Sequence, residues 1–426
     1  MGAGVGSRQD GVERSSTGGN EDVKPPQPKK IQGLFHFEGC AMEEPPMISG
    51  EDGYYPVKKG ETFNGRYRVV QNLGYGYFST VWLCQDTGKK RCVAVKVPKG
   101  GEDFAEAALD EVMLLRYVNS KRRKDRGSDY IIHLLDDFKM IGENGFHILW
   151  LIAQGPPPGR QARLMELLGP SLQTLLNIRG AQGLPLPFVK KAMRQILQGL
   201  HFLHKECRII HTDIKPDNIL LYVTEESLHN MVALQHSLGA NHKPRAGDGP
   251  AALLDCSNLM KMGVKIADLG SACWTYKPFS KKIQTQPYRA VEVLLGLDYS
   301  TPADIWSAAC LAFELATGKR LFEPQAGQYF SRDEDHVARI VELLGKIPPK
   351  MASLWQQTST FFSRQGALLR MSWTSFYDLY HILVDKYSWP KSQATHFSSF
   401  VLPMLEYASE RRARAEKCLQ HPWLSH

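Results

Sequence analysis

The stretch "IIHTDIKPDNILL" (209–221) packs a His, two Asp, a Lys and an Asn into one short run framed by aliphatic residues. Charged groups drawn into an apolar frame are costly unless they are paired or used. Asp213 can accept a hydroxyl proton, Lys215 can offset phosphate charge, and Asn218 can coordinate a metal. Some fifty residues on, "VKIADLGSACW" (264–274) sets Asp268 after an apolar strand and before Gly270. Asp and Asn are hard oxygen donors of the kind that hold Mg2+ together with substrate phosphates.

Toward the N-terminus, "LGYGYFSTV" (73–81) carries Gly74 and Gly76, with Ser79 where a third glycine could stand. Glycines between two strands let backbone amides come close to phosphates, although a plain hairpin turn would read the same. "VAVK" follows, and its Lys96 ends a run of valines, so it needs an anionic partner. Glu111, in the helical "LDEVMLL", is the candidate. Each feature alone has a bland reading; the four in this order are hard to obtain by chance.

The 426-residue chain is 43% hydrophobic and 23% charged, a globular composition, with a net charge of +8 that permits an acidic partner such as ATP. No apolar run approaches the roughly 18 residues that span a bilayer, and no basic stripe interleaved with aromatics marks a nucleic-acid binder. "MGAGVGSRQD" lacks a signal-peptide core and misses the myristoylation pattern by one place, with Gly6 before Ser7. Eight Cys without CxxC pairs read as reduced thiols, and "HFLH" (201–204) as helix histidines without further ligands. These features lead to the expectation of an intracellular, soluble monomer without membrane or direct nucleic-acid partners.

Residues 1–53 are rich in Gly, Ser, Pro and charge and read as a disordered leader. "RYRVVQNLG", "STVWLCQD" and "RCVAVKVP" alternate as strands, and "FAEAALDEVMLLRYV" has helical periodicity. Helical patterns dominate from about Glu166: "PLPFVKKAMRQILQGLHFLHKE", "TPADIWSAACLAFELATG" and "DHVARIVELLG". The expected fold is α+β, a small β-rich lobe before a larger helical one with a ligand cleft between them. Flexible inserts are expected at 153–163 ("AQGPPPGRQAR") and 223–263. "KRRKDR" (121–126) reads as a solvated loop rather than a nuclear localisation signal.

With the glycine loop, VAVK, HTDIKPDN and DLG in place, the sequence resembles the eukaryotic protein kinases over residues 67–424. The resemblance implies a two-lobed protein kinase fold (N-lobe 67–165, C-lobe 166–424) that uses ATP and Mg2+. It implies an ATP site at Leu73, Gly74, Tyr75, Gly76, Tyr77, Phe78, Ser79, Thr80, Val81, Ala94, Lys96, Glu166 and Leu168. Lys96 would hold the α/β-phosphates and pair with Glu111, Asp213 would serve as base or hydroxyl-orienting group, and Lys215 would neutralise the transferring phosphoryl. Asn218 and Asp268 would bind the metal. Glu292 would be buried against Arg412, and Asp304 would brace the catalytic-loop backbone. Lys215 after the base is the serine/threonine form of the loop.

"GYYPVKKGETFNGRYRVVQNLGYGYFSTVWL", "RIIHTDIKPDNILL", "YSTPADIWSAACLAFELATG" and the region through "DEDHVARIVELLG" are similar more narrowly to the SR-protein kinase family. That resemblance implies Arg/Ser-rich substrates such as splicing factors, a cytoplasmic and nuclear location, and a docking groove with Asp335, Glu342 and Lys386. Asp335 and Glu342, seven apart, would share one helix face. Thr212 stands where many kinases carry Arg, so no cation waits for an activation-loop phosphate, and activity without phosphorylation of Thr275, Ser280 or Thr285 is expected. Three departures stand out: about a dozen extra residues before the hinge, Lys319 where the groove carries an acid, and Lys281, Lys282 and Pro287 in place of the family's acids and Arg. Because of the first, a kinase-like binding scaffold with impaired ATP binding is the alternative.

Overall fold

The computed structural model describes residues 53–76, 79–89, 91–122, 125–142, 145–153, 167–223, 255–348, 351 and 377–425. A six-stranded antiparallel sheet comes first, in the order β1-β2-β3-β4-β6-β5. Its strands are β1 (Thr62–Phe63), β2 (Tyr67–Tyr75), β3 (Ser79–Asp86), β4 (Arg91–Pro98), β5 (His133–Gly142) and β6 (Gly145–Ala153). Strand alternation in β4 sends Val93, Val95 and Val97 into a small core with Trp82, Leu149 and Leu151. Ala94 and Lys96 therefore point to the opposite face. Against the sheet lies α1 (Glu102–Lys121), with Glu102 and Asp103 in its first turn and Lys121 in its last, charges that complement the helix dipole. Its buried positions are Ala108, Glu111, Val112, Leu114, Leu115 and Val118, a helical stripe with a single carboxylate in it.

The larger core is helical. It takes in α2 (Leu172–Arg179), α3 (Leu186–Phe202), α4 (Cys256–Lys261), α5 (Val291–Leu294), α6 (Pro302–Thr317), α7 (Arg332–Leu344), α8 (Lys391–Val401) and α9 (Ala415–Leu419). α6 is buried all round from Ala303 to Thr317, so its two acids, Asp304 and Glu314, must find internal partners.

Two small sheets position the polar loops. β7 (Leu167–Ser171), β9 (Ile219–Val223) and β10 (Gly263–Ile266) form a three-stranded sheet in the order β10-β9-β7, while β8 (Ile209–Ile210) pairs with β11 (Cys273–Trp274). The registers Ile219↔Ile266 and Ile210↔Cys273 tie both ends of loop 211–218 to both ends of loop 267–272. The loops that carry Asp213 and Asp268, residues 55 positions apart, are thereby held together at both ends.

The strand and helix expectations agree with these elements. The stretch read as an insert at 223–263 closes sooner than the sequence reading placed it. Asp255 caps α4 through the Ser257 amide (3.2 Å), and Leu259 is fully buried, so residues 255–263 belong to the folded lobe. Residues 224–254, the 1–52 part of the leader and 154–163 of the Pro-rich insert lie outside the described residues. In "KRRKDR", Arg122 is half-buried and packs its guanidinium inward rather than into solvent. Among the described residues, no helix is long and apolar enough to cross a membrane, and seven cysteines are free thiols.

Candidate active site

Lys96 Nζ lies 2.8 Å from Glu111 Oε2 and 3.5 Å from Asp268 Oδ1, and all three side chains are closed to solvent. The ammonium also sits 4.9 Å from the Trp150 ring centroid. Burial raises the Glu111 carboxyl above the usual carboxylate range, and the Lys96 ammonium opposes that shift. One lysine thus joins β4, α1 and the loop after β10.

Asp213 is held from two sides. Its Oδ1 accepts from the Thr285 amide (3.1 Å) and hydroxyl (2.7 Å), and its Oδ2 from Lys215 Nζ (2.8 Å) and Asn218 Nδ2 (3.1 Å). Burial alone would raise the Asp213 carboxyl; the Lys215 charge and the bonds from Lys215 and Thr285 outweigh it and hold the group below its ordinary value. Burial likewise acts to lower Lys215, but Asp213 more than offsets it, so the ammonium stays charged. A carboxylate held this acidic is suited to orienting a hydroxyl more than to removing its proton early.

Asp304 fixes the loop itself. It accepts from the His211 amide and the Thr212 amide, both at 2.8 Å, and from His204 Nε2 at 2.8 Å. His211 Nε2 donates to the Ala267 carbonyl (2.9 Å), and Thr212 Oγ1 donates to the Ser271 carbonyl (2.7 Å). Thr212, Asp268 and Gln284 hold left-handed backbones (φ 69°, 64° and 68°), half of the six non-glycine residues with positive φ among those described. Such backbones cost about 1–3 kcal/mol each and persist only where surrounding bonds fix them. Here they do: Gln284 donates to the Ala303 carbonyl and Ser307 Oγ (both 2.8 Å) and accepts from the Ala290 amide (2.9 Å).

Asn218 Oδ1, Asp268 Oδ2 and Glu111 Oε1 are buried oxygens without a hydrogen-bond partner among the described residues. Buried acceptors are normally satisfied, so this set points to a missing cation or donor. The first two are hard donors, one neutral and one anionic, and they fit a Mg2+ ion.

The remaining expected positions divide. Gly74 pairs with Val81 and Tyr75 with Thr80, and the Gly76 amide is closed onto the Ser79 carbonyl (2.8 Å). Ser79 and Thr80 are buried, Leu73 is exposed, and Ala94 shares the Lys96 face of β4. Tyr77, Phe78 and Glu166 lie outside the described residues, and Leu168 is described only through its backbone pairing with Tyr222. Glu292 meets Arg412 in two bonds of 2.7 and 2.8 Å. Asp335 and Glu342 both lie on α7, and Lys386 is exposed on the segment after it. Asp335 is nearly closed to solvent and already accepts from the Gln325 amide (2.8 Å) and Arg339 Nε (2.7 Å). Thr285, whose phosphorylation the sequence reading expected to be unnecessary, is an internal partner of Asp213 and Lys215. His204 was read only as a helix histidine because its partner Asp304 lies 100 positions on, and Gln284, whose side chain donates to α6, was not singled out. In "HFLH", His204 is engaged by Asp304, and no group of three or more His, Cys, Asp or Glu side chains that could hold a metal ion is found among the described residues.

The strained loop braced by a buried Asp, the lysine–glutamate pair and the facing Asp–Asn oxygens define the protein kinase class. In agreement, residues 67–424 match the family model described as "Protein kinase domain". SRSF protein kinase 3 of Mus musculus is 35% identical over 98% of this chain and 97% of its own length. Its Homo sapiens counterpart is 36% identical over 96% and 95%, and the serine/threonine-protein kinase SRPK of Physarum polycephalum 37% over 88% and 89%. The chain belongs to the SR-protein kinase family and is a serine/threonine protein kinase of two-lobed α+β fold. ATP and a divalent metal are the general requirements of that domain.

Proposed function

We propose that this kinase transfers the ATP γ-phosphate to serines of Arg/Ser-rich proteins such as splicing factors, and that it does so without activation-loop phosphorylation. The observations that carry the catalytic reading are the Asp213–Lys215–Asn218 cluster and the Lys96–Glu111–Asp268 cluster, on loops tied together by paired strands. Lys96, held by Glu111, binds the α/β-phosphates. Asp213 orients the serine hydroxyl, and Lys215 offsets charge on the transferring group. Asn218 and Asp268 hold Mg2+, which when bound neutralises phosphate charge. The loop from Leu73 to Val81 (with Gly74, Tyr75, Gly76, Tyr77, Phe78, Ser79 and Thr80), Ala94, Glu166 and Leu168 enclose the nucleotide. We assign the kinase domain to 67–424, with its lobes divided at 165/166. The intact lysine–glutamate pair favours the enzyme over the scaffold reading.

The mouse and human relatives' names contain SRSF, which supports an SR-protein substrate for this chain, docked through Asp335, Glu342 and Lys386. Such a substrate places the kinase in both cytoplasm and nucleus. Phosphate-independent activity is supported by ties that already hold the segment 268–292. Thr212 is neutral and bonded to the Ser271 carbonyl. Arg289, the buried cation of that segment, is already engaged by the Ile283 and Gln284 carbonyls (2.9 and 2.8 Å), by Gln286, and by Asp333 at 3.5 Å. The test is phosphorylation of an Arg-Ser repeat peptide and of the same peptide with Lys for Arg. Wild type should prefer the Arg peptide, and Asp213→Asn should lose at least about a hundredfold in rate. Equal rates from wild type and Asp213→Asn would reject the enzyme reading; equal use of both peptides would reject the substrate class.

A further inference from the structure

Arginine-rich substrates need carboxylates, and on the substrate side of the helical lobe this chain spends several of them on its own cations. Asp333 accepts from Gln286 Nε2 (2.7 Å) and lies 3.5 Å from Arg289, both in the segment that sets Thr285 against Asp213. Glu314 accepts from the Tyr288 hydroxyl and lies 3.8 Å from Arg320. Asp335 accepts from Arg339 one helical turn on. The Arg339–Asp335 pair has an unusual balance. The carboxylate is 7% exposed at its side chain and the guanidinium 43%. The contact is one-toothed: Nε meets Oδ2, which also takes the Gln325 amide, while Oδ1 carries no hydrogen bond among the described residues. A half-solvated i,i+4 pair is weakly held. An incoming guanidinium that forks both oxygens binds a carboxylate more strongly than a single Nε does.

We propose that Arg339 is an internal stand-in for a substrate arginine, displaced from Asp335 when an arginine tract docks, and so a specificity-determining residue that sets how tightly long Arg-rich substrates are held. This rests on the Arg/Ser-substrate reading above. Arg339 thus weakens a docking acid without removing it.

The experiment compares KM for a long Arg-Ser repeat peptide with KM for a peptide holding one Arg-Ser, using full-length wild type, Arg339→Met, Arg339→Gln, Arg339→Lys and Arg339→Met/Asp335→Asn. Both neutral variants should lower KM for the long peptide about twofold relative to the short one, the scale of one exposed helix ion pair. Arg339→Lys should keep the wild-type ratio, and adding Asp335→Asn should cancel the gain, because the two residues act through one contact. Arg339 is half-exposed, and Arg339→Gln provides a second readable variant if Arg339→Met does not fold. An unchanged ratio in the neutral variants, or a gain that survives Asp335→Asn, overturns the proposal while leaving the substrate class standing. Failure of wild type to phosphorylate either peptide overturns both.

Discussion

Arg412→Met removes the cation that forks Glu292, at the end of the segment that carries Thr285 to Asp213. In the wild type the guanidinium forks the carboxylate at 2.7 and 2.8 Å and donates to the Pro302 and Glu406 carbonyls at 3.0 and 2.9 Å. Both residues are 2% exposed, so water cannot replace the lost partner. Breaking a buried pair from one side costs about 3–5 kcal/mol, whereas replacing both partners by apolar groups is often neutral or stabilising. Against a total stability of about 5–15 kcal/mol, the single variant loses roughly a fifth or more. The double variant Arg412→Met/Glu292→Leu should recover most of the loss. Urea unfolding of the full-length chain followed by tryptophan fluorescence provides the assay, since Trp306 lies 5.0 Å below the Arg412 guanidinium. A single variant within about 1 kcal/mol of wild type, or a double variant no more stable than the single, would refute the reasoning.

Three further outcomes are expected. Burial, with the nearby cations Lys265 and Arg122, lowers His133 to about 2, and burial, with Arg289, Arg332 and Arg339, lowers His336 to about 3. The unfolded chain protonates such groups below about pH 6.5 and the native state does not, so stability is full above that pH and falls as pH drops through it, by about 2 kcal/mol per histidine at pH 5. His133→Gln should flatten the curve between pH 7 and 5, and an unaltered slope contradicts the assignment. Asp268→Asn should weaken Mg2+-dependent ATP binding by roughly tenfold in calorimetry, while nucleotide binding in chelator stays as in wild type; unchanged Mg2+ affinity argues against Asp268 as a ligand. Gln284→Ala removes three bonds that hold the segment beside Asp213, and should lower peptide phosphorylation roughly tenfold at unchanged ATP affinity. A loss that falls on ATP binding instead would show that the segment does not act on the substrate side.

The parts of the site that were readable in the sequence are those that a motif makes local. Lys96 stood out as a cation in a valine run and Glu111 as a carboxylate in an apolar helix stripe, and each needed the other. Asp304 was readable only through the family resemblance, and the structure supplies its physical reason, since α6 is buried all round and the carboxylate must find an internal partner. The hidden parts depend on packing between segments with no shared spacing. Thr285 meets Asp213 across 72 positions and His204 meets Asp304 across 100, and neither carries a distinctive residue pattern. Thr212 shows both sides of this. Its lack of charge is plain in the sequence, but its left-handed backbone and its bond to Ser271 appear only once β8 pairs with β11. α4 was missed because one buried leucine, Leu259, gives too little apolar signal to separate a short capped helix from an insert. Arg339 escaped notice because a basic residue one turn from an acid on a helix reads as a solvated pair.

The central claim is that the fold alone assembles a competent catalytic site around Asp213. Its most direct test is single-turnover phosphoryl transfer from ATP to an Arg-Ser peptide by full-length enzyme stripped of phosphate with a phosphatase. The account predicts the same rate as for untreated enzyme, and no gain when Thr275 or Ser280 is subsequently phosphorylated. A rate that collapses on phosphatase treatment and returns more than about tenfold on phosphorylation of the 268–292 segment would contradict it.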